Sequence, residues 1–476
     1  MPFRVLSLAA RRTVWWPAIG ALLCTLAATA AAQKLPPEVD AALARAKVPR
    51  EAVSVLLVDA QGQGAPRLSY RANVPMNPAS VMKLVTTYAA LDLLGPAYTW
   101  STPVFVEGAV RDGTLFGNLY IQGQGDPKLV LERLWLLLRR VQGLGIRTIA
   151  GDVVLDRSAF EVAAVDPASF DGEPLRPYNA APDALLINFK SVVMTLVPEP
   201  GGTTARIQYD PPLAGVQLQA SVPLLAGDCG DYRGALKADF SDPNRIRFAG
   251  AYPASCGEKV WPVAYADPGS YAVRAVQGLW QELGGKLQGS VRMGPVPAAV
   301  AAGKPAFTVS SAPLAEVIRD INKYSNNVMA QQVYLTLGSG RFDTARNVVL
   351  GWWQERIGPQ DAPVLDNGSG LSRAERISAQ GLARLLQSAY ASPLMPELMA
   401  SLPITGVDGT LRRVKSRATG SAHLKTGSLS DVVAVAGYVH GAGGKRQVLV
   451  ALINHPNAKA ARPAIEALVE WAASQR

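Results

Sequence analysis

Histidine and cysteine are nearly missing from this chain, which holds three of each in 476 residues. His423, His440 and His455 show no metal spacing such as H-E-x-x-H, and no G-x-S-x-G turn occurs. Ser-His-Asp hydrolases and zinc peptidases are set aside on that ground, and no metal or cofactor is expected. His423, two residues before Lys425, reads as a structural strand residue, and Gly441 to Lys445 reads as a hairpin turn because it lacks the spacing of a phosphate loop. Charge is sparse as well, at 18% of residues, and the surplus of +10 is scattered rather than gathered into basic runs interleaved with aromatics. Nucleic acid is therefore not an expected partner. A diffuse positive field suits an anionic surface instead, and peripheral membrane association stays open. Long apolar runs are lacking except for Val14 to Ala32, which follows Arg4, Arg11 and Arg12 and ends in Ala28-Thr29-Ala30-Ala31-Ala32. That is the layout of a secretory signal peptide over residues 1–32, with retention as an anchor the alternative.

What is present centres on Asn77-Pro78-Ala79-Ser80-Val81-Met82-Lys83-Leu84, a turn opening a helix that is apolar on more than one side. Residues three apart on a helix face the same way, so Ser80 and Lys83 meet. A serine hydroxyl is a weak nucleophile until a base takes its proton, and a lysine serves only when neutral, which burial and a nearby cation favour. Two more patterns follow in order: S-x-N at Ser325-Asn326-Asn327 and K-T-G at Lys425-Thr426-Gly427. Tyr324-Ser325-Asn326 also satisfies a Y-x-N pattern; the frame beginning at Ser325 is preferred because Asn-Asn-Val-Met-Ala-Gln-Gln follows it.

The ordered triple resembles the penicillin-recognising serine enzymes. With Asp366-Asn-Gly-Ser-Gly-Leu-Ser-Arg373 and Leu402-Pro-Ile-Thr-Gly-Val-Asp-Gly-Thr410, the chain resembles the class C low-molecular-mass penicillin-binding proteins, D-alanyl-D-alanine carboxypeptidases and endopeptidases of bacterial cell walls. The resemblance implies peptidoglycan peptides as substrates and β-lactam antibiotics as covalent inhibitors, in the periplasm. It makes Ser80 the nucleophile, Lys83 its base, Ser325 a proton relay and Asn327 a holder of Lys83 and of the substrate amide. Lys425 would keep Lys83 neutral and, with Thr426, meet the substrate carboxylate, while the N–H groups of Ser80 and Ser428 would form an oxyanion hole. Arg373 is placed among the substrate-binding residues. Asp156, with Phe160 close by, would reach over the cleft and read the free amine of diaminopimelate, against the plainer reading that Asp156 caps a turn. Ser430 leaves subsite specificity open. A serine β-lactamase and a non-catalytic wall-binding scaffold are the competing readings.

The length demands two or three domains. The order of elements implies an α/β catalytic domain split in sequence, residues 33–100 and 301–476, around a long β-rich insertion forming one or two extra domains. The insertion divides into 101–180, a β-rich 181–261 and 262–300. One strand is expected over Thr148 to Asp156, and a helix from Ser311 to Asn322 with Ser311 as its cap. Cys229 and Cys256, an even pair in an exported chain, are expected to be bonded and to staple separate modules of the insertion.

Overall fold

Strands from the two ends of the chain meet in one antiparallel sheet, ordered Leu68–Tyr70, Val53–Asp59, Arg446–Asn454, Val432–His440 and Ala422–Ser428. The computed structural model describes residues 34–475, so the expected signal peptide lies outside the described residues. Both faces of this sheet are covered, which is why its central strands are apolar without interruption. On one face Leu56, Ala434, Ala436, Val450 and Leu452 pack under the helix Lys83–Leu94 and under Leu314–Tyr324, Asn327–Leu337, Phe342–Arg356 and Ala379–Tyr390. On the other, Val55, Leu57, Leu424, Val433 and Ala451 pack under Pro37–Arg45 and Arg462–Ser474. Successive side chains of a strand point to opposite faces. Lys425 and Gly427, opposite Ala436 and Ala434, therefore share the face of the Lys83–Leu94 helix.

The insertion leaves and returns on neighbouring strands: Ser101–Val106 pairs with Phe307–Ser310, beside Leu119–Gln122, Val153–Asp156 and Val291–Met293. Its sheet thus extends to Ser310, past the expected boundary at residue 300. A second sheet, Ser191–Pro198 with Thr204–Asp210, Lys259–Ala264, Ser221–Leu225 and Tyr252–Pro253, forms the β-rich part. Cys229 and Cys256 are bonded there. One apolar cluster runs from Val104 and Leu137 through Met194 and Ile207 to Trp280, so the insertion packs as one body rather than as separate modules.

Two local expectations change. Thr148 to Asp156 is two short strands, Thr148–Ile149 and Val153–Asp156, because the chain crosses between sheets there. Ser311 caps no helix: Leu314–Tyr324 starts after Pro313, and Ser311 Oγ instead accepts the Trp100 N–H at 2.9 Å.

Candidate active site

Ser80 stands in a 3-10 turn, Ala79–Met82, that runs into the helix Lys83–Leu94. The turn is held by Asn77, whose Oδ1 accepts the Ala79 N–H at 2.8 Å while its Nδ2 donates to Ser372 O at 2.9 Å. Asn454 Nδ2, from the sheet, donates to Asn77 O at 2.9 Å. This clamp keeps Ala79 in the left-handed region, φ 46°, a conformation costing a residue other than glycine roughly 1 to 3 kcal/mol. Sequence reasoning did not single out Asn77, although Asn-Pro is a turn signal in its own right.

Lys83 is completely buried. Its Nζ donates to Ser80 Oγ at 3.0 Å, Asn327 Oδ1 at 2.6 Å and Ser369 O at 2.5 Å. Burial lowers its pKa to about 7, with the Glu375 carboxyl opposing the shift. Burial, rather than a second cation, is what brings Lys83 within reach of the neutral form.

The other two motifs close around this pair. Ser325 ends the helix Leu314–Tyr324 in the left-handed region, φ 57°, and Asn326 caps the next helix by accepting the Met329 N–H. The elbow turns Ser325 toward Lys425, whose Nζ donates to Ser325 Oγ at 2.9 Å and to Thr426 O at 2.8 Å. Lys425 is fully buried, and burial first, then the neighbouring Lys83, hold its pKa well below the usual lysine range. With its amine so engaged, the polar side chains of this strand that line the cavity holding Ser80 and Ser325 are Thr426 and Ser428. Thr426 Oγ1 is 2.8 Å from Thr410 Oγ1. Gly427 is required by the close approach of strand and nucleophile: a Cβ there would lie 2.5 Å from Pro78 O and 3.2 Å from Ser80 N. Ser80 N and the end of the Ser428 strand are thereby brought side by side.

A second cavity, about 430 Å³, joins Ser80, Ser325, Asn327, Ser428 and Arg373 to the insertion residues Phe170, Asp171 and Tyr178. Arg373 is paired with Asp431 at 2.8 Å and lies over the Phe170 ring. Asn327 Nδ2 donates to Tyr178 O at 3.0 Å, which ties the insertion loop to the catalytic domain. Asp171 accepts from Tyr178 Oη and Asn179 Nδ2, both at 2.8 Å, and these bonds, working against its desolvation, lower its pKa.

Asp156 and Phe160 are placed elsewhere. Asp156 is 2% exposed, and its oxygens accept from the N–H groups of Ser158 and Val296 and from Gln122 Nε2. The carboxylate is consumed inside the insertion, as the turn-capping alternative required. Phe160 packs over Gly125 and lines, with Asp156, a different cavity that does not include Ser80. The insertion carboxylate at the cleft is Asp171, which lies in an irregular segment with no periodicity to mark it. Sequence reasoning also missed Glu375, buried behind Lys83.

The chain also resembles known proteins along most of its length. It is 29% identical over 417 residues, 83% of this chain and 76% of the relative, to a D-alanyl-D-alanine carboxypeptidase of Actinomadura sp. (strain R39). The fold matches penicillin binding protein 4 (DacB) of Haemophilus influenzae with a TM-score of 0.68 at 24% identity, covering 91% of this chain and 99% of that one. It also matches a penicillin G-acylated predatory endopeptidase of Bdellovibrio bacteriovorus, TM-score 0.51 at 16% identity, over 88% and 91% of the two chains. A family description spans residues 35–475, insertion and all, and so takes in every motif described above: the chain belongs to the D-Ala-D-Ala carboxypeptidase 3 (S13) family.

Proposed function

We propose that Ser80 is the nucleophile with which this serine peptidase cleaves between the last two D-alanines of peptidoglycan stem peptides, and also cleaves D,D-cross-links. The observation that carries this is the 3.0 Å bond between Ser80 Oγ and a buried Lys83 whose pKa is lowered to about 7. As Ser80 Oγ bonds to the substrate carbonyl carbon, its proton passes to Lys83 Nζ. Ser325 relays a proton to the departing amine as the C–N bond breaks, and water resolves the acyl-enzyme. The N–H groups of Ser80 and Ser428 hold the oxyanion, each such donor contributing roughly 3 to 4 kcal/mol. Thr426 and Ser428 meet the terminal carboxylate, with Lys425 supporting them from beneath.

The role expected of Asp156 passes to Asp171, which shares the cavity with Ser80 and suits a substrate amine, with Phe170 and Arg373 beside it. β-Lactams act as slow substrates that acylate Ser80. Export to the periplasm accords with the N-terminal run and with the wall substrate. Incubation with labelled penicillin tests the nucleophile: wild type carries the label on Ser80, and a Ser80→Ala protein that still binds it covalently overturns the assignment. D-alanine release from a wall pentapeptide, measured beside penicillin hydrolysis, separates the peptidase from a β-lactamase, which would turn over the drug and spare the peptide.

A further inference from the structure

Glu375 is fully buried, yet its carboxyl has a single working oxygen. Oε1 accepts the N–H groups of Asp366 at 3.2 Å and Gly368 at 3.0 Å. Oε2 has no hydrogen-bond partner among the described residues, and neither does the buried hydroxyl of Tyr334, which feels the Glu375 charge. The segment that Glu375 clamps is the one that grips the catalytic helix. Gly368 O accepts from Thr86 Oγ1 at 2.6 Å, and the next carbonyl, Ser369 O, accepts from Lys83 Nζ. Glu375 is thus one loop behind the general base and tied to it by hydrogen bonds through that loop.

We propose that Glu375 is a positioning residue that acts through Lys83, clamping the Asp366 to Ser369 loop onto the amine and supplying the buried negative charge that governs when Lys83 gives up its proton. Being deeper than the cleft, it touches no substrate. A carboxylate with an orphaned oxygen is costly to bury, and a neutral carboxylic acid much less so. Burial accordingly raises the Glu375 pKa, opposed by the two N–H bonds and by Lys83, and the charged form of each partner favours the charged form of the other. The charged and titratable groups around the pair are Lys83 from its helix, Asp366 from the clamped loop, Tyr334 from Asn327–Leu337, and Lys425, which bears on Lys83. Asp343 and Arg346 bear on Tyr334 from outside. As Lys83 takes the Ser80 proton it becomes a cation, and an ionised Glu375 favours that state.

This rests on the reading of Ser80 and Lys83, and the test keeps the two apart. The rate of penicillin acylation is followed from pH 5 to 9 in wild type and in Glu375→Gln, which retains the acceptor for Asp366 and Gly368 and loses the charge. Without the carboxylate Lys83 deprotonates more readily, so the acidic limb should move to lower pH by roughly one unit. A limb that stays in place, with the label on Ser80, overturns the role of Glu375 alone; label on another residue overturns the reading beneath it. A reciprocal measurement serves if the variant folds poorly. The carboxyl carbon of Glu375, followed by NMR, should titrate at higher pH in Lys83→Met than in wild type, and an unchanged midpoint overturns the coupling.

Discussion

Lys425 Nζ donates to Ser325 Oγ across the gap between the edge strand Ala422–Ser428 and the elbow of the helices Leu314–Tyr324 and Asn327–Leu337. Burial, then the neighbouring Lys83, lower the Lys425 pKa, and the bond ties its amine to the hydroxyl that the proposed mechanism uses as a proton relay. Ser325 keeps the left-handed backbone that this requires, where glycine is at ease and serine is not. Function and local stability therefore pull in opposite directions at one residue. Replacing Ser325 with glycine relieves the backbone by about 1 kcal/mol, offset in part by the entropy of glycine in the unfolded chain. The melting temperature of Ser325→Gly is expected to equal or exceed that of wild type, while acylation by penicillin falls at least a hundredfold with the relay gone. A lowered melting temperature would mean that the hydroxyl stabilises the elbow more than its conformation costs.

The contact between Gly427 and the nucleophile turn predicts the opposite pairing of effects. In Gly427→Ala the new methyl meets Pro78 O, a backbone atom held by the Asn77 clamp, and the strand must retreat from Ser80 N. Acylation is expected to fall by about two orders of magnitude, as for a lost oxyanion donor. Stability falls by roughly 1 to 3 kcal/mol, the usual cost of overpacking. Stopped-flow acylation and urea denaturation measure the two separately. Retention of both would show that the strand has room to spare.

The pH dependence follows from Lys83. In the proposed mechanism its neutral form accepts the Ser80 proton, and burial lowers its pKa to about 7. Below that pH the amine is protonated and idle; as pH rises through it the competent fraction grows. The acylation rate constant is expected to climb tenfold per unit well below pH 7 and to level off above it. A rate independent of pH between 5 and 8 would exclude Lys83 as the base.

The reach of the sequence differed between the two sides of the cleft. Ser80 and Lys83 are one helical turn apart, Ser325 and Asn327 share an elbow, and Lys425 to Ser428 lie on one strand, so short-range geometry alone groups each set. The wall contributed by the insertion had no such signature. Phe170, Asp171 and Tyr178 lie between Asp156 and the strand Ser191–Pro198 in a segment with only two 3-10 turns, at Pro177–Asn179 and Asn188–Lys190. They arrive at Ser80 because Asn327 holds Tyr178 O and because the Phe170 ring stacks under Arg373, contacts that depend on the whole fold. Asp156 misled because a carboxylate at a strand end can serve a substrate or its own turn with the same local sequence. Glu375 was invisible for a related reason: among exposed-looking neighbours such as Arg373 and Arg376, nothing local says that its side chain turns inward.

Substrate selectivity distinguishes the two insertion carboxylates. Asp171→Asn should lower cleavage of peptides bearing a free diaminopimelate amine about tenfold, the effect of one charged hydrogen bond, and leave penicillin acylation nearly unchanged. Asp156→Asn should spare this selectivity and reduce thermal stability instead, since its oxygens satisfy the buried Val296 N–H and the Ser158 N–H. Parallel kcat/KM measurements on amine-bearing and amine-free peptides decide between them. Loss on both substrates in Asp171→Asn would make that residue a structural support of the loop.

The disulfide offers a test of how independently the insertion carries its own stability. Cys229 and Cys256 are separated by 27 residues and lie in the β-rich part of the inserted body. Closing a loop of this length stabilises by about 3 to 4 kcal/mol in the chain-entropy model. The aromatic cluster of Tyr232, Tyr252 and Trp261 packs beside it and supplies contacts that persist without the bond. Cys229→Ser/Cys256→Ser is therefore expected to lower the melting temperature of the insertion and to speed its proteolysis between residues 226 and 258. The Ser80 site is built from the catalytic sheet, its helices and the loop at Phe170 to Tyr178, none of which the disulfide joins, so penicillin acylation below the melting temperature should stay within about twofold of wild type. A matching loss of acylation would show that the β-rich part transmits its order to the cleft.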